Sequence, residues 1–382
     1  MREPLHGQNF NAIKKIALTL NTAWNILNFR RPLIRTLKEA GYQVVCFAPE
    51  DTATPQLTDE GIEVHPIRHL SRKGTNPVQD IRLIRELTAL YRFHNIDLVV
   101  HFTIKPNIYG SLAARRAGIP SMAVVTGLGF TFLSSGLASR AARQLYRYAF
   151  RQNQLTIFQN PDDRALFIQR NLVDPDRSAV VLGSGIDTDF FTPDESLPDS
   201  PVYVFIGRLL HDKGIRELLD GFTQYQSKHP EARLVIVGEP DPDNPASITP
   251  DELQRYSRHE GIDFAGFQSD IRSFIRQASA VVLPSYREGV PRTLLEALSM
   301  SRPVITTDVP GCREVVVPGE NGLMVPCHDP ARLAHAFEEF HALDGSVKQQ
   351  MGQRSRKLAE EVFSTKVVNK QYLEWVERVL NG

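Results

Sequence analysis

The sequence contains little cysteine and no long hydrophobic run, and both shortages exclude whole classes of protein. Three of its 382 residues are cysteines, at positions 46, 312 and 327, and they form no CxxC pair or cluster with histidine. A disulfide framework and a structural zinc site are therefore not expected, and a reducing, cytoplasmic location fits best. No stretch approaches the roughly 18 apolar residues of a membrane-spanning helix, and the polar first residues do not resemble a signal peptide.

Acidic residues are missing from one long stretch, although the net charge of the whole chain is zero. Residues 98–161 contain no aspartate or glutamate, and residues 1–185 carry a balance of +9 against −9 for the remainder. This asymmetry predicts that the first half faces an anionic partner or surface, with a salt-compensated pair of domains as the alternative. No zinc finger, RNP-like segment or basic helix-turn-helix is present, so nucleic acid is not the expected partner.

Short apolar runs alternate with helical patterns along most of the chain. In the first half such runs occur at 16–20, 44–47, 98–102, 122–125 and 155–158, and the alternation restarts at 202–206 after an Asp/Pro/Ser-rich linker. Strands alternating with helices predict parallel sheets covered on both faces, and 382 residues are too many for one ordinary core. We therefore predict an α/β chain with two doubly wound, Rossmann-like domains that face each other across a cleft.

The strongest chemical signal follows the apolar run 202–206. Gly207-Arg208-Leu209 is followed by Asp212-Lys213-Gly214 at the start of a predicted helix. Arg208 offers a planar fork to phosphate oxygens, Lys213 offers a compact charge, and a helix N-terminus favours anions. The pattern predicts a diphosphate clamp, and its alternative is an arginine paired with a surface carboxylate.

Two glutamates lie eight residues apart in the segment 285–296. Glu288 follows the apolar run 280–283, and Glu296 lies in the first turns of a helix that begins near Pro291. A carboxylate accepts paired hydrogen bonds from vicinal hydroxyls, so both glutamates are candidates for binding a ribose or hexose. Solvated surface charges are the alternative, which the apolar neighbours Leu295 and Ala297 weaken for Glu296.

Taken in order, the segments GR…DKG, EG-x-P-x4-E and TD-x-PG…E…G-x-NG-x-x-VP resemble the retaining GT-B glycosyltransferases of family 4. These enzymes transfer a sugar from a nucleotide-sugar to an acceptor. In the first half, residues 28–30, 105–110 and 126–129 resemble the subgroup that builds lipid-linked oligosaccharides, O-antigen and capsule in bacteria. The resemblance implies an acceptor-side domain at 1–185, a donor domain at 186–363 and a C-terminal helix at 364–382 that returns to the first domain.

The same resemblance implies roles for individual residues. Arg208 and Lys213 would hold the donor diphosphate and stabilise the leaving group. Glu296 would bind the ribose, and Glu288 would contact the donor sugar near the reacting carbon. The other donor-binding candidates are Gly266 and Phe267 near the base, and Gly289, Val290 and Pro291 in the pocket.

The resemblance also implies the substrates. The expected donor is a UDP-sugar carrying HexNAc or hexose, transfer is expected to retain the anomeric configuration, and the expected acceptor is a polyprenyl-diphosphate-linked saccharide. No metal cofactor is expected, although the chain has DxD-like segments such as Asp241-Pro242-Asp243 in its loops. A nucleotide-sugar 2-epimerase on the same architecture is the alternative function.

Candidates for the acceptor side lie in the first half. Asn21 occupies the position of a Gly-Gly loop found in many family members and is a candidate for hydrogen bonding to donor or acceptor. Lys105 is a candidate for an acceptor phosphate. His101 is either a catalytic group, because imidazole titrates near neutral pH, or a buried and satisfied side chain.

A basic face is predicted for the helix at 138–152. Four arginines recur there at spacings of three, four and four, namely Arg140, Arg143, Arg147 and Arg151. Such a face, with aromatic residues nearby, is typical of a helix that lies on anionic lipid. We therefore predict that the protein associates peripherally with the inner face of the plasma membrane.

Overall fold

A computed structural model describes residues 13–71, 76–128, 137–193, 196, 198 and 200–382, with only the backbone described for 137–142. The first of two sheets contains β1 (Lys15–Thr19), β2 (Gln43–Ala48), β3 (Glu63–Pro66), β4 (Leu98–Phe102), β5 (Ser121–Val125), β6 (Leu155–Phe158) and β7 (Ser178–Val180). The second contains β8 (Val202–Ile206), β9 (Arg233–Val237), β10 (Ile262–Gly266), β11 (Ala280–Leu283), β12 (Val304–Thr307) and β13 (Gly322–Val325).

Both sheets are parallel throughout the described strands. Their spatial orders are β3-β2-β1-β4-β5-β6-β7 and β10-β9-β8-β11-β12-β13. Each order runs outward in both directions from a central pair of strands, β1 and β4 in the first sheet and β8 and β11 in the second. This is the doubly wound topology, so the predicted fold class is confirmed.

Helices cover the faces of both sheets. Those associated with the first sheet are α1 (Ala23–Phe29), α2 (Arg31–Glu39), α3 (Thr54–Asp59), α4 (Pro77–Phe93), α5 (Ser111–Ala117), α6 (Leu137–Phe150) and α7 (Pro161–Gln169). The later helices are α8 (Ile215–Gln226), α9 (Pro250–Ser257), α10 (Arg272–Arg276), α11 (Arg292–Ser299), α12 (Pro330–Ala342), α13 (Gly345–Leu358) and α14 (Thr365–Asn381). No helix among these residues is both long enough and apolar enough to cross a bilayer.

The central strands can be predicted directly from their sequences, whereas the edge strand β3 cannot. All residues of β4, β5, β6, β11 and β12 are buried, as expected for strands covered on both faces. The edge strand β3 has the sequence EVHP with no fully buried residue, so no apolar run marks it. Helix α1 ends at Phe29 and α2 begins at Arg31, because Pro32 fits only the first turn of a new helix.

The chain passes between the two domains twice, and the two passages lie side by side. The Ile186 N–H donates to the carbonyl oxygen of Phe363 at 2.8 Å, and the Thr365 N–H donates to the carbonyl oxygen of Ile186 at 2.9 Å. Beyond this bridge, α14 packs on α2, and its residues Val368, Tyr372 and Val376 are buried in the core of the first domain. The last helix therefore completes the first domain.

Candidate active site

Two predicted donor residues meet at the carboxyl ends of the neighbouring strands β8 and β11. The Nζ of Lys213 lies 2.5 Å from Oε1 of Glu288, and both side chains are largely sheltered from solvent. The same carboxylate oxygen accepts a 2.7 Å hydrogen bond from Ser285 Oγ. Gly214 allows this approach because its φ is +69° and an added Cβ would collide with the carbonyl oxygen of Pro284.

Arg208 lies at the same edge of the sheet but has a different partner. Its Nη1 is 2.8 Å from Oδ2 of Asp241, and most of the guanidinium side chain is exposed. Asp241 belongs to one of the DxD-like segments, so a carboxylate that could have been a metal ligand is engaged by an arginine. In the structure, Arg208 is therefore paired with a surface carboxylate, as its alternative interpretation proposed.

Glu296 is buried in α11 and is bonded to a residue one turn earlier. Its Oε1 accepts a 2.9 Å hydrogen bond from Nε of Arg292. Burial raises the pKa of the Glu296 carboxyl, whereas the Arg292 cation acts to lower it. The start of α11 lies against the end of β8, because Thr293 Oγ1 donates to the carbonyl oxygen of Ile206 at 3.2 Å. Glu296 is therefore held beside the strand that leads to Arg208.

The remaining donor candidates lie on either side of this edge. Val290 is buried, and Pro291 immediately precedes α11 with an extended backbone. Gly266 ends β10 with a φ of +66°. Phe267 is 67 % exposed, and its N–H donates to Glu239 Oε1 at 3.4 Å. An exposed aromatic ring at the carboxyl end of a strand offers a stacking surface to a nucleobase.

The loop that carries Glu288 also contacts the first domain. The Nδ2 of Asn160, at the start of α7, donates to the carbonyl oxygens of Gly289 at 2.9 Å and Glu288 at 3.3 Å. A Cβ on Gly289 would collide with the carbonyl oxygen of Thr126 and would lie 2.7 Å from Oε1 of Gln159. The backbone of this loop is therefore in direct contact with the first domain.

A buried ion pair joins the domains beside that contact. Nη2 of Arg287 contacts Oδ1 of Asp163, whose side chain is fully buried. Burial raises the pKa of Asp163, while Arg287 and Asn160 act to lower it. Asn160, Asp163 and Arg287 were not among the predicted site residues. An asparagine before Pro161 is nevertheless typical of a helix N-cap, which Asn160 is.

We expect the variant Arg287→Met to unfold at a lower Tm than the parent protein, with a difference that shrinks on acidification. Without the guanidinium, the pKa of buried Asp163 rises further, so the ionised carboxylate destabilises the folded state at neutral pH. That cost is lost as the pH falls through the raised pKa and the carboxyl becomes protonated. Thermal unfolding between about pH 8 and about pH 5.5 measures this difference.

Arg313→Met is the matched control, because Arg313 pairs at 3.2 Å with Asp162, which is one residue from Asp163 and is exposed. Exposed pairs contribute about 0–1 kcal/mol, so this variant should show a small difference in Tm with little pH dependence. Parallel behaviour of the two variants would contradict the role assigned to the buried pair.

The acceptor-side candidates Asn21 and Lys105 are both partly buried. The Oδ1 of Asn21 is buried and has no hydrogen-bond partner among the described residues. Lys105 Nζ lies 3.6 Å from Oδ1 of Asp80. The other carboxylate oxygen of Asp80 accepts a 2.7 Å hydrogen bond from the hydroxyl of Tyr109. A contact between Lys105 and an acceptor phosphate would therefore compete with an existing ion pair.

His101 is buried, but it is not satisfied as the alternative interpretation supposed. Its side chain is fully inaccessible, and neither ring nitrogen has a partner in the described part of the chain. Burial lowers the pKa of His101 to about 3, so the imidazole is neutral at physiological pH. Its ring packs against Gly110, where an added Cβ would lie 2.5 Å from Nδ1. A catalytic role for His101 stays a prediction.

The predicted basic face of α6 is only partly available to a surface. Arg147 donates to the carbonyl oxygens of Asn171 and Arg170 at 3.0 and 3.1 Å, just after α7. Arg143 is half-buried and Arg151 is exposed, whereas the side chain of Arg140 lies outside the described residues. The aromatic residues Tyr146 and Phe150 are buried in a core cluster. These two rings therefore add nothing to an exposed apolar surface, because they pack against the sheet, whereas Tyr148 of the same helix is 55 % exposed.

Two protein-family models match the chain, one in each domain. Residues 15–160 match the model described as glycosyl transferase 4-like, and residues 200–342 match the model described as glycosyl transferases group 1. A relative from Campylobacter jejuni is 26 % identical over 96 % of this chain and 100 % of its own length. It is named N,N'-diacetylbacillosaminyl-diphospho-undecaprenol alpha-1,3-N-acetylgalactosaminyltransferase.

Solved structures share the fold at lower identity. A glycosyltransferase from Rickettsia africae superposes with a TM-score of 0.80 at 17 % identity, covering 97 % of this chain and 99 % of that one. The Anabaena protein Alr3699/HepE, solved with UDP and glucose, gives a TM-score of 0.77 at 18 % identity, with coverages of 94 % and 99 %. For this chain, the two matched domains, the GT-B fold and these relatives lead to one conclusion. The chain is an enzyme of the glycosyltransferase family whose domains are described as glycosyl transferase 4-like and glycosyl transferases group 1.

Proposed function

We propose that this enzyme transfers a sugar from a UDP-sugar to a polyprenyl-diphosphate-linked saccharide, with retention of configuration, in bacterial surface glycan assembly. The Lys213–Glu288 pair, at the switch point of the second sheet and beside the loop that touches the first domain, is the observation that carries the proposal. The name of the Campylobacter jejuni relative gives an acceptor of this class, and the Anabaena protein binds UDP. Both support the choice of substrates.

The charges of the site suit the cleavage of a bond between a sugar and a phosphate. As that bond breaks, negative charge builds on the departing diphosphate and positive charge builds on the sugar. Lys213 would stabilise the phosphate and Glu288 the sugar, and such preorganised contacts are each worth a few kcal/mol. Arg208 would exchange Asp241 for the diphosphate, which costs about 1 kcal/mol or less because the existing pair is exposed.

Retention requires the incoming hydroxyl to approach the face that the diphosphate leaves. A departing phosphate oxygen is then close enough to accept the proton of that hydroxyl. Because diphosphate is already a good leaving group, the site does not need a strong general acid. Lys213 would favour this step by stabilising the negative charge on the departing phosphate.

Protection against thermal unfolding by nucleotide-sugars tests the donor. We expect UDP-GalNAc or another UDP-sugar to raise the Tm, and Arg208→Ala to abolish the increase because the diphosphate loses its fork. Arg233→Ala is the matched control, since Arg233 is also exposed and paired with an aspartate, Asp263, but stands at the amino end of β9. Protection by GDP-mannose alone would contradict the donor, and an epimer formed without acceptor would favour the 2-epimerase.

A surface at the start of α4 is the best candidate for contact with the membrane. Val78 and Ile81 lie three residues apart on one face of α4 and are 58 % and 52 % exposed. Exposed Ile104 lies nearby, because the neighbouring Lys105 pairs with Asp80 of the same helix. We propose that this apolar patch enters an anionic bilayer, with the exposed cation Arg82 of α4 at its edge.

Co-sedimentation with vesicles that contain an anionic phospholipid tests this surface. We expect the double variant Val78→Ser, Ile81→Ser to bind at least 5-fold more weakly, because two exposed apolar side chains no longer enter the lipid. Phe93→Ser is the control, since Phe93 is 80 % exposed at the other end of α4. Loss of binding in Arg143→Glu, Arg151→Glu instead would place the contact on α6, as the sequence suggested.

A further inference from the structure

Two histidines and a glutamate come together at the edge of the first sheet that β3 forms. Glu63 and His65 lie on β3, and His94 follows the last residue of α4. Their ligand atoms, one from each side chain, all lie within 4.8 Å of one another. Imidazole nitrogens and a carboxylate oxygen are typical ligands of Zn²⁺ in proteins. Because the group contains no cysteine and is divided between β3 and α4, no spacing motif marks it in the sequence.

The distances within this group suit a single small cation. Oε1 of Glu63 lies 2.7 Å from Nε2 of His65 and 4.0 Å from Nδ1 of His94. Zinc bonds of about 2.0–2.2 Å in tetrahedral geometry place two ligand atoms about 3.3 Å apart, which lies between these two distances. Small rotations of the side chains would therefore bring the three atoms to bonding distance from one ion.

The two imidazole rings are positioned by the buried side chain of Phe47. The ring centroids of His65 and His94 lie 5.8 and 5.5 Å from that of Phe47, and 4.0 Å from each other. Glu63 and His65 are two positions apart on β3, so they share one face of the strand. The side chains of His65 and Glu63 are 30 % and 53 % exposed, which gives an ion access from the solvent.

The charges around His94 favour a cation. Helix α4 has 17 residues, and its carboxyl end, which carries the negative end of the helix dipole, adjoins His94. Glu63 adds a full negative charge beside the same ring. Lys15 of β1 also acts on His94, but less strongly than Glu63 does. The local field is therefore favourable, although the lysine limits the affinity.

We propose that Glu63, His65 and His94 bind one Zn²⁺ ion, with water completing its coordination. The ion would tie β3, which has no fully buried residue, to the end of α4. Helix α4 leads into the amino end of β4, whereas the carboxyl ends of β5 and β6 contact the donor loop through Thr126 and Asn160. The zinc site therefore lies away from the catalytic cleft, and its role is structural and independent of the proposed function.

A second group of the same composition, His229, Glu231 and His341, is a weaker candidate within the described part of the chain. Nδ1 of His341 already lies 2.5 Å from the hydroxyl of Tyr225. The ammonium of Lys348 donates to the backbone carbonyl oxygen of His341 at 2.9 Å, so a cation adjoins this group. Because it has the same ligand types in a less favourable setting, this group provides a matched control.

Isothermal titration calorimetry with Zn²⁺ tests the site on the whole chain without an affinity tag, at about pH 7.5, where imidazole is mostly neutral. We expect the parent protein to bind one ion. Losing even an outer partner of a metal ligand typically costs about 10–100-fold in affinity, so His94→Gln should bind Zn²⁺ at least about 10-fold more weakly. The control variant His341→Gln should bind it as the parent does. Thermal unfolding without zinc verifies that each variant is folded.

Glu63→Gln is a second variant at the site, which keeps the shape of the side chain and removes its charge. It should also weaken binding, and it should fold as the parent does because Glu63 is about half exposed. Equal affinity of the parent, His94→Gln and Glu63→Gln would overturn the inference, as would a parent protein that binds no zinc. Loss of binding in His341→Gln alone would place the ion at the second group and would overturn it as well.

Discussion

Replacing Lys213 by alanine is expected to lower kcat for sugar transfer by about 100-fold or more, the largest effect of any single change. The variant removes the cation that would face the departing diphosphate. Removal of one such preorganised contact typically lowers the rate 10²–10³-fold, because the activation free energy rises by about 3–4 kcal/mol. The variant also leaves Glu288, which is mostly buried, without its ion pair. Steady-state kinetics with a saturating UDP-sugar measure the loss.

Lys228→Ala is the control for this experiment. Lys228 also pairs with a glutamate, Glu338, at 2.6 Å, but the pair is exposed and joins the turn after α8 to α12, away from Lys213 and Glu288. Its loss should change the activity less than 2-fold. A Lys213→Ala protein that kept more than a tenth of its activity would show that the cation does not stabilise the leaving group.

Replacing Gly289 by alanine is expected to lower kcat/KM at least 10-fold while leaving the Tm nearly unchanged. The added methyl group would collide with the carbonyl oxygen of Thr126, so the donor loop could no longer approach the first domain. Each domain keeps its own core, because the collision lies between the domains. Kinetics and thermal unfolding of the same preparation separate the two effects.

Gly345→Ala is the control for this second change. An added Cβ there meets no atom within 4 Å, and the position starts α13 in the second domain. We expect parent-like activity, with a Tm unchanged or slightly raised because alanine suits a helix better than glycine. Full activity of Gly289→Ala would mean that the close approach of the two domains is not needed for transfer.

Much of the fold could be predicted because parallel strands that are buried on both faces consist of consecutive apolar residues. The bounds of β4, β6, β8 and β11 coincide with the predicted segments. The edge strands β3 and β7 were missed because they bury few side chains. Their positions depend on the strands they pair with, which local sequence does not reveal.

The donor site was predictable where the candidate residues follow the carboxyl ends of predicted strands. Lys213 and Glu288 each follow a strand, and adjacent parallel strands place them in contact. The contacts of Asn160 and Asp163 were not predictable, because they join residues more than 120 positions apart across the two domains. The partner of Arg208, Asp241, likewise lies in a loop whose position no motif specifies, whereas Arg292 and Glu296 stand four residues apart in one helix.

The return of α14 to the first domain has a consequence for the order of folding during synthesis. Domains usually fold from the N-terminus as the chain leaves the ribosome. Here the first core includes Val368, Tyr372 and Val376, so it remains incomplete until α14 has been made. The second domain, whose sheet and core lie before Thr365, can complete its fold earlier. The first domain is therefore the last to be completed, although most of its residues are translated first.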